Sequence, residues 1–286
     1  MYQQSAGLRP ADPDRLRAVV LRWYRQHGRD LPWRRTTDPY AVLVSEVMLQ
    51  QTQVARVLGA YPRFLRRFPT LRALAEASLA DVLRLWSGLG YNRRARDLQR
   101  VARARPDGLP GRAADLDALP GIGPYTAAAV ACFAHGDAIA FADTNIRRVL
   151  GRVSIGRTAT ESEARALDAR LLSRRAPARW HHALMDIGAT LCVARRPRCA
   201  ACPLRGFCRY RARPVTEPPR RQQGSYATSD RRVRGRIVAV LSARDRGMTV
   251  AALRRAVGDE RTDRLVDALA AEGLVVTVGG QVRLPG

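Results

Sequence analysis

Apolar residues recur every three to four positions along most of the first 210 residues. PDRLRAVVLRWYRQHG, residues 13–28, has the spacing of a one-sided helix and stops at Gly28. Asp38 followed by Pro39 has the form of an N-cap and a first helical residue, and opens a helix through YAVLVSEVMLQQ. Further helices are predicted over VARVLGAYPRFLRRF, over VLRLWSGLG behind a Ser78/Asp81 cap, over NRRARDLQRVARA, and from Pro124 through YTAAAVACFA. TNIRRVLGRV, ESEARALDARLLSR and APARWHHALMDIGATLC continue the pattern. Period-two alternation is almost absent before residue 230, so the first three-quarters of the chain reads as all-α.

The pattern changes after residue 213. Residues 214–229 are rich in proline and polar side chains and read as a linker. Beyond it come three helices, over RRVRGRIVAVLSAR, from a Thr249 cap through VAALRRAVG, and over ERTDRLVDALAAEG. LVVTVGGQVRLPG then alternates around Gly-Gly as a hairpin does. Three helices followed by a hairpin predict a small winged-helix-like α+β domain over 230–286, behind a mostly α region over 1–213.

Charge narrows the function. Among the 286 residues are 50 basic and 25 acidic side chains, a net charge of +25, and every basic residue is arginine. Such an excess suits a polyanionic partner that presents phosphates. With no lysine, Schiff-base chemistry through a side-chain amine is excluded. No apolar run reaches membrane-spanning length and the N-terminus lacks a signal-like segment, which points to a soluble, intracellular protein.

Three clusters carry candidate chemistry. Cys192, Cys199, Cys202 and Cys208 are spaced C-x6-C-x2-C-x5-C, a metal-site pattern that suits zinc or an iron–sulfur cluster. Cys132, in an apolar run, reads as a core thiol. LPGIGPYTA places Gly121, Ile122, Gly123 and Thr126 in a turn whose backbone amides, at a helix start, form a nest for a phosphate oxygen. Asp143 is an N-cap or a functional carboxylate. Glu46 lies in an apolar helical stretch, where burial raises a carboxyl's pKa and makes it a proton donor, unless it pairs with an arginine.

SEVMLQQTQV, GLGYNRRARDL, LPGIGPYTA, DTNIRRVL and the cysteine loop together resemble the A/G-mismatch adenine DNA glycosylases of the helix-hairpin-helix superfamily, over about residues 12–212. The resemblance implies two helical lobes, one over about 38–140 and one from about 12–37 with 141–213. The second lobe carries a four-iron, four-sulfur cluster on the four cysteines of loop 192–208. It implies a base excision repair enzyme acting on double-stranded DNA with adenine opposite 8-oxoguanine or guanine, as a monomer in the bacterial cytoplasm at the nucleoid. Glu46 then protonates the flipped adenine at N7. Asp143 stabilises the oxocarbenium, directly or through a transient bond at C1′, and Tyr125 and Asn145 assist around the sugar and water. Trp33, Arg34, Val54 and His182 fall at the adenine pocket. Gln51, Thr52, Leu89 and Tyr91 fall where the base stack is wedged, the first two toward the damaged guanine. Tyr125 stands where lyase-active relatives carry lysine, so an intact abasic product is expected.

Three features depart from the family pattern: Thr144 in place of glycine, His182 in place of glutamine or glutamate, and a C-terminus too short and too helical for a Nudix-like lesion reader. The C-terminal domain is accordingly expected to add DNA affinity without choosing the lesion. A thymine glycosylase acting on G/T mismatches, which lacks QQTQV after the glutamate, and a non-catalytic iron–sulfur DNA-binding regulator, which has no need of the carboxylate pair, are the alternatives.

Overall fold

The computed structural model describes residues 12–212, 224–244 and 246–286; residues 213–223, most of the predicted linker, and the first eleven residues lie outside them. In chain order the helices are α1 (Pro13–His27), α2 (Pro39–Leu49), α3 (Val54–Arg67), α4 (Leu71–Glu76), α5 (Leu79–Trp86), α6 (Arg93–Ala104) and α7 (Ala113–Asp117). Then follow α8 (Pro124–His135), α9 (Thr144–Ser154), α10 (Glu161–Leu171), α11 (Pro177–Thr190) and α12 (Arg209–Ala212). The C-terminal segment has α13 (Asp230–Ser242), β1 (Met248–Thr249), α14 (Val250–Val257), α15 (Thr262–Ala271), β2 (Val276–Val278) and β3 (Gln281–Arg283). No helix among the described residues is long and apolar enough to cross a membrane.

The helices begin where side chains can take the first free amides. Asp38 accepts from Tyr40 N (3.1 Å) and Ala41 N (3.3 Å), Ser78 from Asp81 N (3.0 Å), and Thr249 from Ala252 N (3.2 Å). The chain divides into two compact units, each discontinuous in sequence: Met1–Thr37 with Pro124–Arg220, and Asp38–Gly123 with Arg221–Gly286.

In the first unit α9 packs against α10 and α11, around Leu16, Ile146, Leu150, Trp180 and Leu184. Each such side chain contributes roughly 1.5–3 kcal/mol by leaving water. Asp168, fully buried, is satisfied there by Trp180 Nε1 (2.8 Å), His181 Nε2 (2.8 Å) and the Phe141 amide (3.2 Å). That amide bond anchors the extended segment leading into Asp143. Cys132 is a buried thiol, as its apolar surroundings in sequence suggest.

In the second unit α2 is buried on all sides, from Tyr40 to Met48, which makes it the central helix. Phe64, Phe68 and Trp86 pack edge-on nearby. The C-terminal segment forms a three-stranded antiparallel sheet, order β1-β3-β2, against three helices, the arrangement of a winged helix.

Two boundaries differ from those read in the sequence. α8 belongs to the first unit, where it packs on α11, so the division falls after Gly123 rather than near residue 140. The C-terminal segment, read as a separate domain, shares its unit with Asp38–Gly123. Ala80 N donates to Pro285 O (2.9 Å), and arginines of α5 and α6 take carbonyls at the ends of α13 and α15. Helix C-termini leave such carbonyls without internal partners, and no local sequence signal announces a distant donor.

Candidate active site and metal centre

Glu46 sits among the apolar residues of α2, between buried Val42, Leu43, Val47 and Met48, and is itself 7% exposed. α2 ends in a turn that the Arg94 side chain ties to the loop between α5 and α6. Its Nη1 donates to the carbonyls of Val47 (2.8 Å), Met48 (3.0 Å) and Gln50 (2.5 Å). Its Nη2 donates to Thr52 Oγ1 (3.0 Å) and the carbonyls of Leu89 (3.2 Å) and Gly90 (2.9 Å). Burial pulls the Arg94 pKa down to about 10, still far above neutrality, so the guanidinium remains a cation. Nothing in the sequence marks this arginine among fifty.

Residues predicted at the base stack lie on the two loops so joined. Gln51 (φ 54°) and Tyr91 (φ 49°) are both left-handed, a conformation that costs a non-glycine residue roughly 1–2 kcal/mol. Strain of this kind gathers at working loops. Gln51 is exposed and Tyr91 is 39% exposed, with the Arg94 guanidinium 5.4 Å from its ring centroid. Thr52 spends its hydroxyl inside the loops, on Arg94 and on the Gln50 and Leu89 carbonyls. Leu89 is only 5% exposed, so its side chain faces the core while its carbonyl serves Arg94. Val54, half-buried, begins α3.

Asp143 is the N-cap of α9. Its Oδ1 accepts from Asn145 N (2.9 Å) and Ile146 N (2.7 Å), and its Oδ2 from Asn145 Nδ2 (2.8 Å). Burial raises its pKa, against the pull of these hydrogen bonds and of Arg148. Asn145 is locked in turn: its Oδ1 accepts from Arg148 Nη2 (2.7 Å). Gly188 on α11 approaches so closely that a Cβ there would lie 2.5 Å from the Asn145 Cβ. Thr144 is exposed at the first position of α9.

The predicted adenine-pocket residues of the first unit have firm internal partners. Arg34 grips buried Asp186 through two bonds, Nη1–Oδ2 (2.8 Å) and Nη2–Oδ1 (2.9 Å), and Arg29 Nε adds a third (2.6 Å). Arg34 is thus engaged as a structural cation beneath Tyr24, whose ring it approaches at 5.9 Å. His182 stacks on Phe133 (4.3 Å), and its pKa is well below the ordinary value because of burial and the charges of Arg34, His181 and Arg29. It is a neutral imidazole at pH 7. Trp33 is buried in a short 3-10 turn, and Tyr125 on α8 meets Phe141 edge-on at 5.6 Å.

The hairpin turn before α8 needs its first glycine twice over. Gly121 has φ 74°, and a Cβ there would lie 2.6 Å from the Asp97 Cβ. Ile122 is buried and donates its amide to Leu119 O (3.2 Å), Gly123 is half-buried, and Thr126 is buried one turn into α8. The amides that open α8 have no carbonyl within the helix to meet, the condition for an anion site.

Cys192, Cys199, Cys202 and Cys208 line one pocket, whose remaining walls include Val149, Ile187, Leu191 and Leu204. Four thiolates at one place are the donor set of a zinc or an iron–sulfur site. Burial pushes the Cys202 thiol to about 11 and also raises Cys192 and Cys208. Loading therefore has to displace protons. Arg152 lies 3.8 Å from Cys192 Sγ and holds the Val193 and Ala194 carbonyls, placing positive charge beside the thiolates. Arg148, which fixes Asn145, also donates to the Cys192 carbonyl (2.5 Å).

Comparison with known proteins agrees with this layout. Residues 44–174 match the HhH-GPD superfamily of base excision DNA repair proteins, and residues 192–208 match the iron–sulfur binding domain of endonuclease III. An adenine DNA glycosylase of Mycobacterium tuberculosis is 44% identical over 283 residues, covering 93% of this chain and 92% of that protein. The Homo sapiens adenine DNA glycosylase is 43% identical over 71% of this chain and 40% of its own length. The structure of a thermostable thymine-DNA glycosylase, 27% identical, superposes with a TM-score of 0.60 over 70% of this chain and 96% of that one. The four cysteines accordingly carry a four-iron, four-sulfur cluster.

Proposed function

The chain belongs to the adenine DNA glycosylases of the HhH-GPD superfamily, and from that premise we propose that it hydrolyses adenine from double-stranded DNA where the base is mispaired with 8-oxoguanine or guanine. Glu46 donates a proton to N7 of the extruded adenine. The C1′–N9 bond breaks with its electrons going to the base, and the Asp143 carboxylate offsets the positive charge left on the sugar. Water adds at C1′ and loses a proton, leaving an abasic site. Asn145 Nδ2 donates to Asp143 Oδ2 and holds that oxygen toward this task, and Tyr125 stands by the sugar.

The observation that carries the reading is the Asp143 carboxylate, half-buried and fixed by two amides and Asn145, so its orientation is set before substrate arrives. The absence of lysine supports a glycosylase without efficient strand cleavage. Gln51 and Tyr91, exposed on strained loops, are the residues we assign to the stack around the opposite base and the gap. The cluster's role is to hold its arginine-bearing loop, including Arg195, Arg198 and Arg205, in shape against phosphates. The enzyme works on DNA as a monomer, in a bacterial cytoplasm.

The deciding experiment is single-turnover base release by the cluster-loaded protein on duplexes with A opposite 8-oxoguanine, A opposite guanine, and T opposite guanine. Adenine release from the first two with no strand break before alkali is expected. Thymine release alone, or binding without release, would overturn the proposal.

A further inference from the structure

The loop between α5 and α6 is gripped by the C-terminal segment at three points. Before it, Arg84 on α5 donates to the carbonyls of Ser242 (3.2 Å) and Arg244 (3.4 Å), at the end of α13. After it, Arg96 on α6 donates to the Glu272 carbonyl at the end of α15. Between the two, Arg231 at the start of α13 donates through Nη1 to the Tyr91 hydroxyl (2.8 Å). The Glu272 carboxylate adds ion pairs to Arg234 (2.5 Å) and Arg93 (4.0 Å).

The face that a winged helix would turn toward a DNA groove is poorly equipped for it. α15 carries Asp263 and Asp267, and its Arg264 is paired with Asp230 (2.8 Å). Arg254 lies 3.6 Å from Asp263, and Arg261 is spent on Asp259 (2.8 Å) and Asp230 (3.0 Å). These arginines neutralise the segment's own carboxylates. Arg236, Arg246, Arg255 and Arg283 of the segment are exposed, so contact with phosphates remains a second expectation for it beside the one inferred below.

We infer that the C-terminal segment presets the Tyr91 loop, with Arg231 as the positioning residue for Tyr91. Gly88 and Gly90 both have positive φ, so the loop has backbone freedom on each side of Leu89, and Tyr91 is itself left-handed. Its ring lies against Arg94 and its hydroxyl is held by Arg231, so the phenol is fixed at both ends. A side chain ordered in advance loses less entropy when it enters a base stack. The inference rests on the assignment of Tyr91 to the stack made above.

The test uses the full, cluster-loaded chain. A non-cleavable adenine analogue opposite 8-oxoguanine, with 2-aminopurine beside it, reports extrusion by fluorescence; single-turnover release is measured on the cleavable duplex, and mispair affinity across a salt series. Arg231→Ala and Tyr91→Phe should each lower extrusion and release by about three- to fivefold, the range of one hydrogen bond. The double variant should be no worse than the weaker single, Arg231→Lys should recover most of the loss, and the salt slope should stay unchanged. Tyr91→Phe removes only a hydroxyl, which keeps the test valid if Arg231→Ala folds poorly. Additive effects, or a shallower salt slope with unchanged extrusion, would overturn the inference and make Arg231 a phosphate contact. A wild-type chain that releases no adenine would instead bring down the functional reading beneath it.

Discussion

Glu46 stands in the middle of α2, with every residue from Tyr40 to Met48 buried around it, whereas Asp143 stands one residue before α9 and takes two of that helix's opening amides. Both carboxylates sit away from bulk water, and the second accepts two helix-opening amides and the Asn145 side chain. A helix interior offers a carboxylate no free amides, since each is already committed to a carbonyl one turn back. A helix start offers several, together with the positive end of the dipole. The first setting suits a group that works by giving up a proton, and the second a group that works by being an anion. On the mechanism proposed above, this contrast matches the acid role to Glu46 and the electrostatic role to Asp143.

Glutamine and asparagine substitutions strike this contrast hardest. Glu46→Gln should lower single-turnover adenine release by about 10²–10⁴-fold while mispair binding persists. Asp143→Asn should fall by a similar factor, yet asparagine is itself a good N-cap, so the melting temperature should hardly change. Near-wild-type release by either variant would remove the corresponding role. A large drop in melting temperature for Asp143→Asn would show the carboxylate to be mainly a cap.

Next in size is Arg94→Lys. An ammonium has three donors, and Arg94 serves seven acceptors at the end of α2 and in the α5–α6 loop. The variant should lose roughly 3 kcal/mol in denaturant unfolding, since each deserted buried acceptor costs about 1–3 kcal/mol. An unchanged midpoint would show that water replaces the guanidinium there.

The pH dependence separates the two settings further. Because burial raises the Asp143 pKa, the anion is lost at a higher pH than an ordinary aspartate would lose it. The acid limb of the single-turnover profile should therefore lie above the usual carboxylate value of 3.8, and a limb at or below it would contradict the assignment.

The smallest effect concerns His182, whose folded-state pKa is depressed. Below its ordinary value of 6.5 the unfolded chain binds a proton that the folded chain refuses, so stability falls as pH falls. The slope is at most about 1.4 kcal/mol per pH unit. His182→Gln should flatten the decline in melting temperature between pH 7 and 5; an unaltered decline would place the linkage elsewhere.

The sequence makes the helices legible where a cap announces them: Asp38, Ser78 and Thr249 each sit before an apolar period and each accepts the expected amide. The cysteine spacing and the Gly121 turn are legible for a related reason, because their chemistry is local. What stayed hidden is long-range. Arg94, Arg148 and Arg152 hold the functional loops together, but with fifty arginines in the chain none of them stands out by type. Gly188 is equally silent, since its importance comes from Asn145 on another helix. The docking of the C-terminal segment rests on arginine-to-carbonyl bonds, and carbonyls have no sequence signature at all.

Arg94 also orders the events of folding. Its acceptors on the Val47–Thr52 stretch lie more than forty residues upstream, across α3, α4 and α5. Closing a loop of that size is slow compared with forming any one of the intervening helices. The turn that carries Gln51 is therefore expected to acquire its native shape with the docking of α6 rather than with the growth of α2. On this ordering the Gln51 turn is late to form, and amide exchange there should report the arrival of α6, not the growth of α2.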